Sequence, residues 1–176
     1  VHEKLAAALL AVGGARDAVP RMTRWNLWLT KTTIVPQRAL PEGFSIGRVP
    51  ADQIDIVIST SSIPRQPSTY LLLPSVGVLN AEGILVAWGY IGIDGSFATL
   101  FVQPEYRGKG LAKTVAVELL ARSEAGDFAD IGFDGSSGWL HSDVYDGNEA
   151  SEAVMKSIGG KIACESFYIW IDSDKF

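Results

Sequence analysis

Hydrophobic positions along this chain follow two different periods. Leu111, Val115, Ala116, Leu119 and Leu120 recur at three- and four-residue spacing, while Lys113 and Glu118 fall on the other side. That spacing makes one apolar helical face and predicts an amphipathic helix. Just upstream, "SFATLFV" (Ser96 to Val102) is an apolar, β-prone run ended by Pro104, which predicts a buried strand. Further strand signals are "FSIGRV", "VGVLN", "ILVAWGYIGI", "WLHSDVY" and "ESFYIWI". Turns at Ala81-Glu82-Gly83 and Asp94–Gly95 separate some of them, the second being a tight hairpin signal. "KLAAALLAVGGA" reads as a helix stopped at Gly13–Gly14, and "ADQIDIVISTSSIPRQPSTYLLLPS" as short helices around a loop. "RWNLWLTKTTIV" fits strand and helix alike, Pro36 to Gly43 reads as a linker, and a helix follows Asn148. The order predicts a mixed α/β (α+β) fold: one twisted sheet, antiparallel in its first half, opening around its middle strands and flanked by helices.

Bulk composition narrows the function. A chain of 176 residues with 47% hydrophobic residues can bury a real core and is a soft prior for one domain. A net charge of -5 argues against nucleic acid or an anionic membrane as the main partner. Cys164 is the only cysteine, so neither an intramolecular disulfide nor a thiolate metal cluster is available; it reads as a small packed residue. No stretch reaches the roughly 18 to 20 apolar residues of a membrane span. A cytoplasmic protein, monomeric or homodimeric, is the expectation. Val1 in first place predicts a processed form or a piece of a longer protein.

The junction of strand and helix carries the chemistry. "PEYRGKGLA" joins the C-terminal end of the strand to the N-terminus of the helix. There the first backbone N–H groups have no intrahelical partners and the helix dipole favours an anion. Gly108 and Gly110 remove side chains that would hold a ligand away, and Arg107 and Lys109 add positive charge. These features predict a phosphate site. A Walker loop is ruled out because Ala112 and Arg107 stand where its glycines belong. A dinucleotide fingerprint fails because Lys113 takes the place of its third glycine. Arg107-x-x-Gly110-x-Ala112 satisfies the remaining pattern, Gln/Arg-x-x-Gly-x-Gly/Ala.

That motif resembles the pyrophosphate site of the GNAT superfamily of acyl-CoA N-acyltransferases. "VYDGNEASEAVMKSIGGK" resembles the family's second signature, and "ILVAWGYIGIDGSFATLF" its central hairpin. The likeness covers about Phe44 to the C-terminus and is greatest to the glycine N-acyltransferase-like branch. It divides the chain into a segment of residues 1–42, packed on the core or left from a preceding domain, and an acyltransferase domain of residues 43–176. The resemblance implies acetyl-CoA or another acyl-CoA as co-substrate, no metal, and a small-molecule amine as acceptor. It implies that Arg107, Gly108, Lys109, Gly110, Leu111 and Ala112 hold the pyrophosphate, and that Leu100, Phe101 and Val102 pair with the pantetheine arm. The Val102 N–H would face the thioester carbonyl and favour its developing oxyanion. Asn148 matches the family asparagine that contacts CoA, with Ser151 one turn on; Asn148 is equally a good helix N-cap.

Two departures stand out. Ser96 follows the hairpin glycine Gly95 where the branch has a glutamate, and Met155 occupies the place of the family's proton-donating tyrosine. Methionine has no proton to give. Asp94 is the nearest carboxylate to the hairpin, and a good turn former. His141, Asp143 and Tyr145 alternate onto one strand face. Arg65 and Tyr70 are further acceptor contacts, against defaults of surface arginine and core tyrosine. The competing expectation is a GNAT-like module that binds acyl-CoA as sensor or scaffold without turnover.

Overall fold

The computed structural model describes residues 1–12, 15–32, 39–61, 63, 65–135 and 137–175. The expected helix stop at Gly13–Gly14 and residues 33–38, which belong to the ambiguous stretch and the linker, lie outside them. Elements run α1 (Glu3–Ala11), α2 (Ala15–Ala18), β1 (Arg21–Lys31), β2 (Ser45–Gly47), α3 (Ile54–Thr60), α4 (Pro67–Leu71), β3 (Ser75–Leu79) and β4 (Leu85–Ile91). They continue as β5 (Phe97–Val102), α5 (Leu111–Ala125), β6 (Trp139–Tyr145), α6 (Glu149–Ser157) and β7 (Lys161–Trp170).

The strands form two antiparallel groups, β2-β3-β4-β5 and β6-β1-β7. They meet where Ser96, just before β5, bridges His141 of β6 in parallel. This is the mixed, centrally opened sheet that the pattern predicts, and it settles the ambiguous stretch as strand over Arg21–Lys31. Strand β1 is also the middle strand of its group. It pairs with β6 over Trp25–Lys31 and with β7 over Arg21–Leu29. Ile162 and Cys164 do not share a face, because Leu27 pairs with Cys164 but Trp28 pairs with Ile162. The extra residue Ala163 makes a bulge that moves Ile162 to the other face.

Strand β4 is buried along its whole length because helices cover both of its faces. From Ala87 to Ile91 the pleat alternates. Ala87 and Ile91 join the larger core under α5 and α6, with Trp28, Val115, Leu119, Leu140 and Met155. Trp88 and Tyr90 join a second core with Ile54, Val57 and Tyr70 from α3 and α4. Gly89 lets α5 come close: a Cβ there would lie 3.0 Å from both Val115 and Leu119 side-chain carbons.

Candidate active site

The hairpin that enters β5 builds the closed end of the opening. Gly92 N–H donates to the Ser96 carbonyl at 2.8 Å and Gly95 N–H to the Gly92 carbonyl at 3.0 Å. Asp94 Oδ1 accepts from the Ser96 N–H at 3.0 Å and from its hydroxyl at 2.6 Å. This is the side-chain turn that aspartate forms well. The Ser96 hydroxyl is the main reason the Asp94 carboxyl sits below its ordinary range, and His141 contributes a smaller effect. Asp94 Oδ2 lies 3.9 Å from His141 Nε2. Asp94, Ser96 and His141 therefore meet at one corner, where β5 and β6 touch.

Beyond that corner β5 is bent. Trp88 pairs with Phe101 and Tyr90 with Ala98, so β5 has one residue more than β4 between these pairs. The bulge centres on Thr99, whose φ of 55° is the one positive value for a non-glycine among the described residues. A β-branched side chain in the left-handed region is strained, at a cost of order 1–3 kcal/mol. Arg65 Nη1 donates to Thr99 Oγ1 at 3.1 Å, fixing the bulge from the loop before α4. Bulges re-aim strands beside active sites. No periodicity in "SFATLFV" announces this one.

After the bulge, the backbone direction of Val102 follows from its neighbour. Gln103 N–H donates to the Val86 carbonyl at 2.9 Å, so Gln103 points its N–H at β4. Successive residues of a strand point these groups to opposite edges; the Val102 N–H and carbonyl face the gap between β5 and β6. The carbonyl accepts from Arg107 Nε at 3.1 Å. The Arg107 guanidinium also lies 5.7 Å from the Phe101 ring, and the Lys109 amine is 5.0 Å from the Tyr106 ring. Both cations stay at the turn but rest on aromatic neighbours.

Gly110 is the N-cap of α5, at φ 80° and with no side-chain cap. Gly108 has φ 76° and nothing within 4 Å of where a Cβ would stand. The left-handed backbone explains both glycines. The helix N-terminus has no side-chain cap, and first-turn N–H groups lack intrahelical partners, which suits a pyrophosphate. Leu111 is 1% exposed and belongs to the core; Ala112 follows it in the first helical turn. Asn148 caps α6, its Oδ1 accepting from the Ser151 N–H at 3.2 Å. The capping role is present, and the exposed side chain keeps its amide N–H groups for other partners. Met155 is 4% exposed in the core, away from proton chemistry. Tyr70 is 2% exposed with its ring 5.0 Å from that of Tyr90, the core position expected by default.

Sequence reasoning missed Trp25 and Tyr168. Trp25 lies 5.4 Å from the Tyr145 ring and 5.0 Å from the Tyr168 ring, on the face of β6 that carries His141. The alternating "RWNLWL" was the available signal for Trp25, but its partners follow only from strand order. Among the described residues, no group of three or more His, Cys, Asp and Glu is set to hold a metal ion, and no helix is long and apolar enough to cross a membrane.

No family model and no curated protein matches the sequence. Solved structures match the fold. A Drosophila protein aligns with TM-score 0.75 at 18% identity, over 98% of this chain and 60% of its own. A GCN5-related N-acetyltransferase from Kribbella flavida aligns with TM-score 0.58 at 15% identity, over 84% of this chain and 59% of its own. A tandem GNAT protein from the clavulanic acid biosynthesis pathway aligns with TM-score 0.63 at 13% identity, over 94% and 57%. The chain thus spans about three fifths of the length of these structures. At such identities the likeness speaks for architecture, and the chain has the fold of the GNAT N-acetyltransferases.

Proposed function

We propose that this protein is an acyl-CoA N-acyltransferase that moves an acetyl or other acyl group from CoA to the amine of a small molecule by direct attack. One observation carries the reading. Strands β5 and β6 touch at Ser96–His141 and part toward Val102, whose N–H faces the gap, and the glycine turn opens α5 at that same end. In this reading residues 43–176 are the acyltransferase domain, and β1 from residues 1–42 completes its sheet. The N–H groups at Gly108 to Ala112 hold the pyrophosphate, with Arg107 and Lys109 adding charge. Leu100 to Val102 pair with the pantetheine arm, and Asn148 and Ser151 touch it from α6. Bound acyl-CoA supplies an activated thioester. The Val102 N–H would face its carbonyl oxygen and favour negative charge there. Rate then comes largely from holding amine and carbonyl in attack geometry.

The protein's own proton-handling groups are few. Ser96 and Met155 replace the expected glutamate and tyrosine, and Asp94 is a weak base because Ser96 holds it ionised. That set of groups favours a second reading, an acyl-CoA-binding module without turnover. Thiol release from acetyl-CoA across a panel of amines separates the two. Release that depends on an amine supports the transferase; CoA binding without release under any amine overturns it.

A further inference from the structure

One face of the β6-β1-β7 group lies beside the Asp94–His141 corner and is lined by rings and carboxylates. Register defines it. Trp25 stands opposite Tyr145 and Ser166, Leu27 opposite Asp143, Leu29 opposite His141, and Thr23 opposite Tyr168. Directly opposed residues share a face, and this one is turned away from the core that holds Trp28 and Val144. The Trp25 ring is inclined at 76° to Tyr145 and at 54° to Tyr168. Inclined rings leave π-faces that flat stacking would cover. Tyr145 and Tyr168 are each 48% exposed.

Negative charge gathers at the same place. Asp143 Oδ1 accepts from the Ser166 hydroxyl at 2.9 Å, and a carboxylate has acceptor capacity beyond one bond. The Tyr168 phenol is held above its ordinary value, first by burial and then by the charges of Asp143 and Asp94; both carboxylates act on that ring. The facing basic groups are His141 on β6, Lys161 on β7 and Arg21 on β1, whose guanidinium is engaged 4.4 Å from the Trp170 ring, while Lys31 lies at the far end, 5.3 Å from the Trp139 ring. Aromatic faces beside carboxylates attract a cation by quadrupole and charge together.

We propose that this face is the acceptor side of the site and selects an alkylammonium that carries no carboxylate of its own. The inference rests on the acyltransferase reading for its place in a reaction, though the recognition chemistry is the face's own. Capture favours the charged amine and attack needs the neutral one, so binding and chemistry respond to pH in opposite directions. An amino-acid acceptor would bring its carboxylate against Asp94 and Asp143.

The test uses tetramethylammonium, which cannot be acylated, and n-butylammonium, each titrated calorimetrically into CoA-saturated protein. Both are expected to bind. Tyr168→Leu should weaken them roughly two- to fivefold, the scale for one exposed cation–π partner, and Asp143→Asn should weaken them too. Tyr168→Phe, which keeps the ring, should retain them, and glycine should bind more weakly than n-butylammonium. CoA-induced thermal stabilisation, read in every variant, reports that fold and cofactor end are intact. Binding unchanged in Tyr168→Leu and Asp143→Asn, or glycine bound as tightly as n-butylammonium, overturns the proposal. Amine turnover with acceptor KM unchanged in both variants does the same while leaving the transferase standing. Tetramethylammonium binding without thiol release under any amine supports the cation face and overturns the transferase reading instead.

Discussion

Replacing Trp28 by alanine tests whether β1 is a structural member of the sheet or a dispensable addition. Trp28 is 2% exposed, paired with Ser142 on one side and Ile162 on the other, and packed into the core under α6. Truncating a buried tryptophan costs about 3–5 kcal/mol, from lost transfer energy plus the cavity left behind. Against a total stability of about 5–15 kcal/mol that is a large share. For a protein of this size each kcal/mol moves Tm by about 2–4 °C, so a fall of roughly 6–20 °C is expected. Thermal melts followed by far-UV circular dichroism measure it. Trp139→Ala is the control, because Trp139 is 47% exposed and its loss should move Tm by only a degree or two. Deleting residues 1–40 should be worse than either substitution, since β6 and β7 would both lose their ladder partner and expose unpaired edges. If Trp28→Ala melts within 2 °C of the parent, or the deleted chain is as stable as the whole, β1 does not hold the sheet together and the reasoning fails.

Further consequences can be measured alongside. Gly110→Asp places a side chain at φ 80° and a negative charge where the pyrophosphate is proposed to sit; it should abolish CoA stabilisation in a shift assay, and unchanged CoA affinity in a folded variant would remove the site assignment. Rate should rise with pH toward the pKa of the acceptor amine, without an inflection from Asp94, because Ser96 keeps that carboxylate ionised across neutral pH. An enzyme pKa near about 6 to 7 that vanishes in His141→Ala would instead reveal a working base. On stability the sign is fixed by the lowered folded pKa. The Asp94 contribution is complete above the unfolded carboxylate pKa of about 3.9 and is lost as acid takes pH down through the folded value. Ser96→Ala should move that loss to higher pH in acid-denaturation curves. Thr99→Gly removes the left-handed strain of a β-branched residue and should raise stability by about 1 kcal/mol, less what the Arg65 contact supplies; a clear loss in urea titration would show that the contact outweighs the strain.

The strand–turn–helix junction proposed to hold the cofactor was legible because its features are local. A strand, a turn with two left-handed glycines and an amphipathic helix are consecutive, so periodicity and spacing at Ser96 to Leu120 suffice to predict an anion site. Asn148 as an N-cap is equally local, since its partner Ser151 is three residues away. The aromatic face proposed for the acceptor was not legible in the same way. Trp25 meets Tyr145 and Tyr168, and Leu27 stands between Asp143 and Cys164, only because β1 inserts between β6 and β7. Those residues are more than a hundred positions apart, and strand order is a tertiary choice that alternation along any one strand does not encode. The Thr99 bulge lies between these cases. Nothing in the run of residues around it predicts a left-handed threonine, because that conformation is locally unfavourable and persists through its setting: the β4 register, the helix packed against Gly89, and the guanidinium of Arg65. Local order was therefore written in the hydrophobic pattern, while long-range pairing and strain were decided by packing.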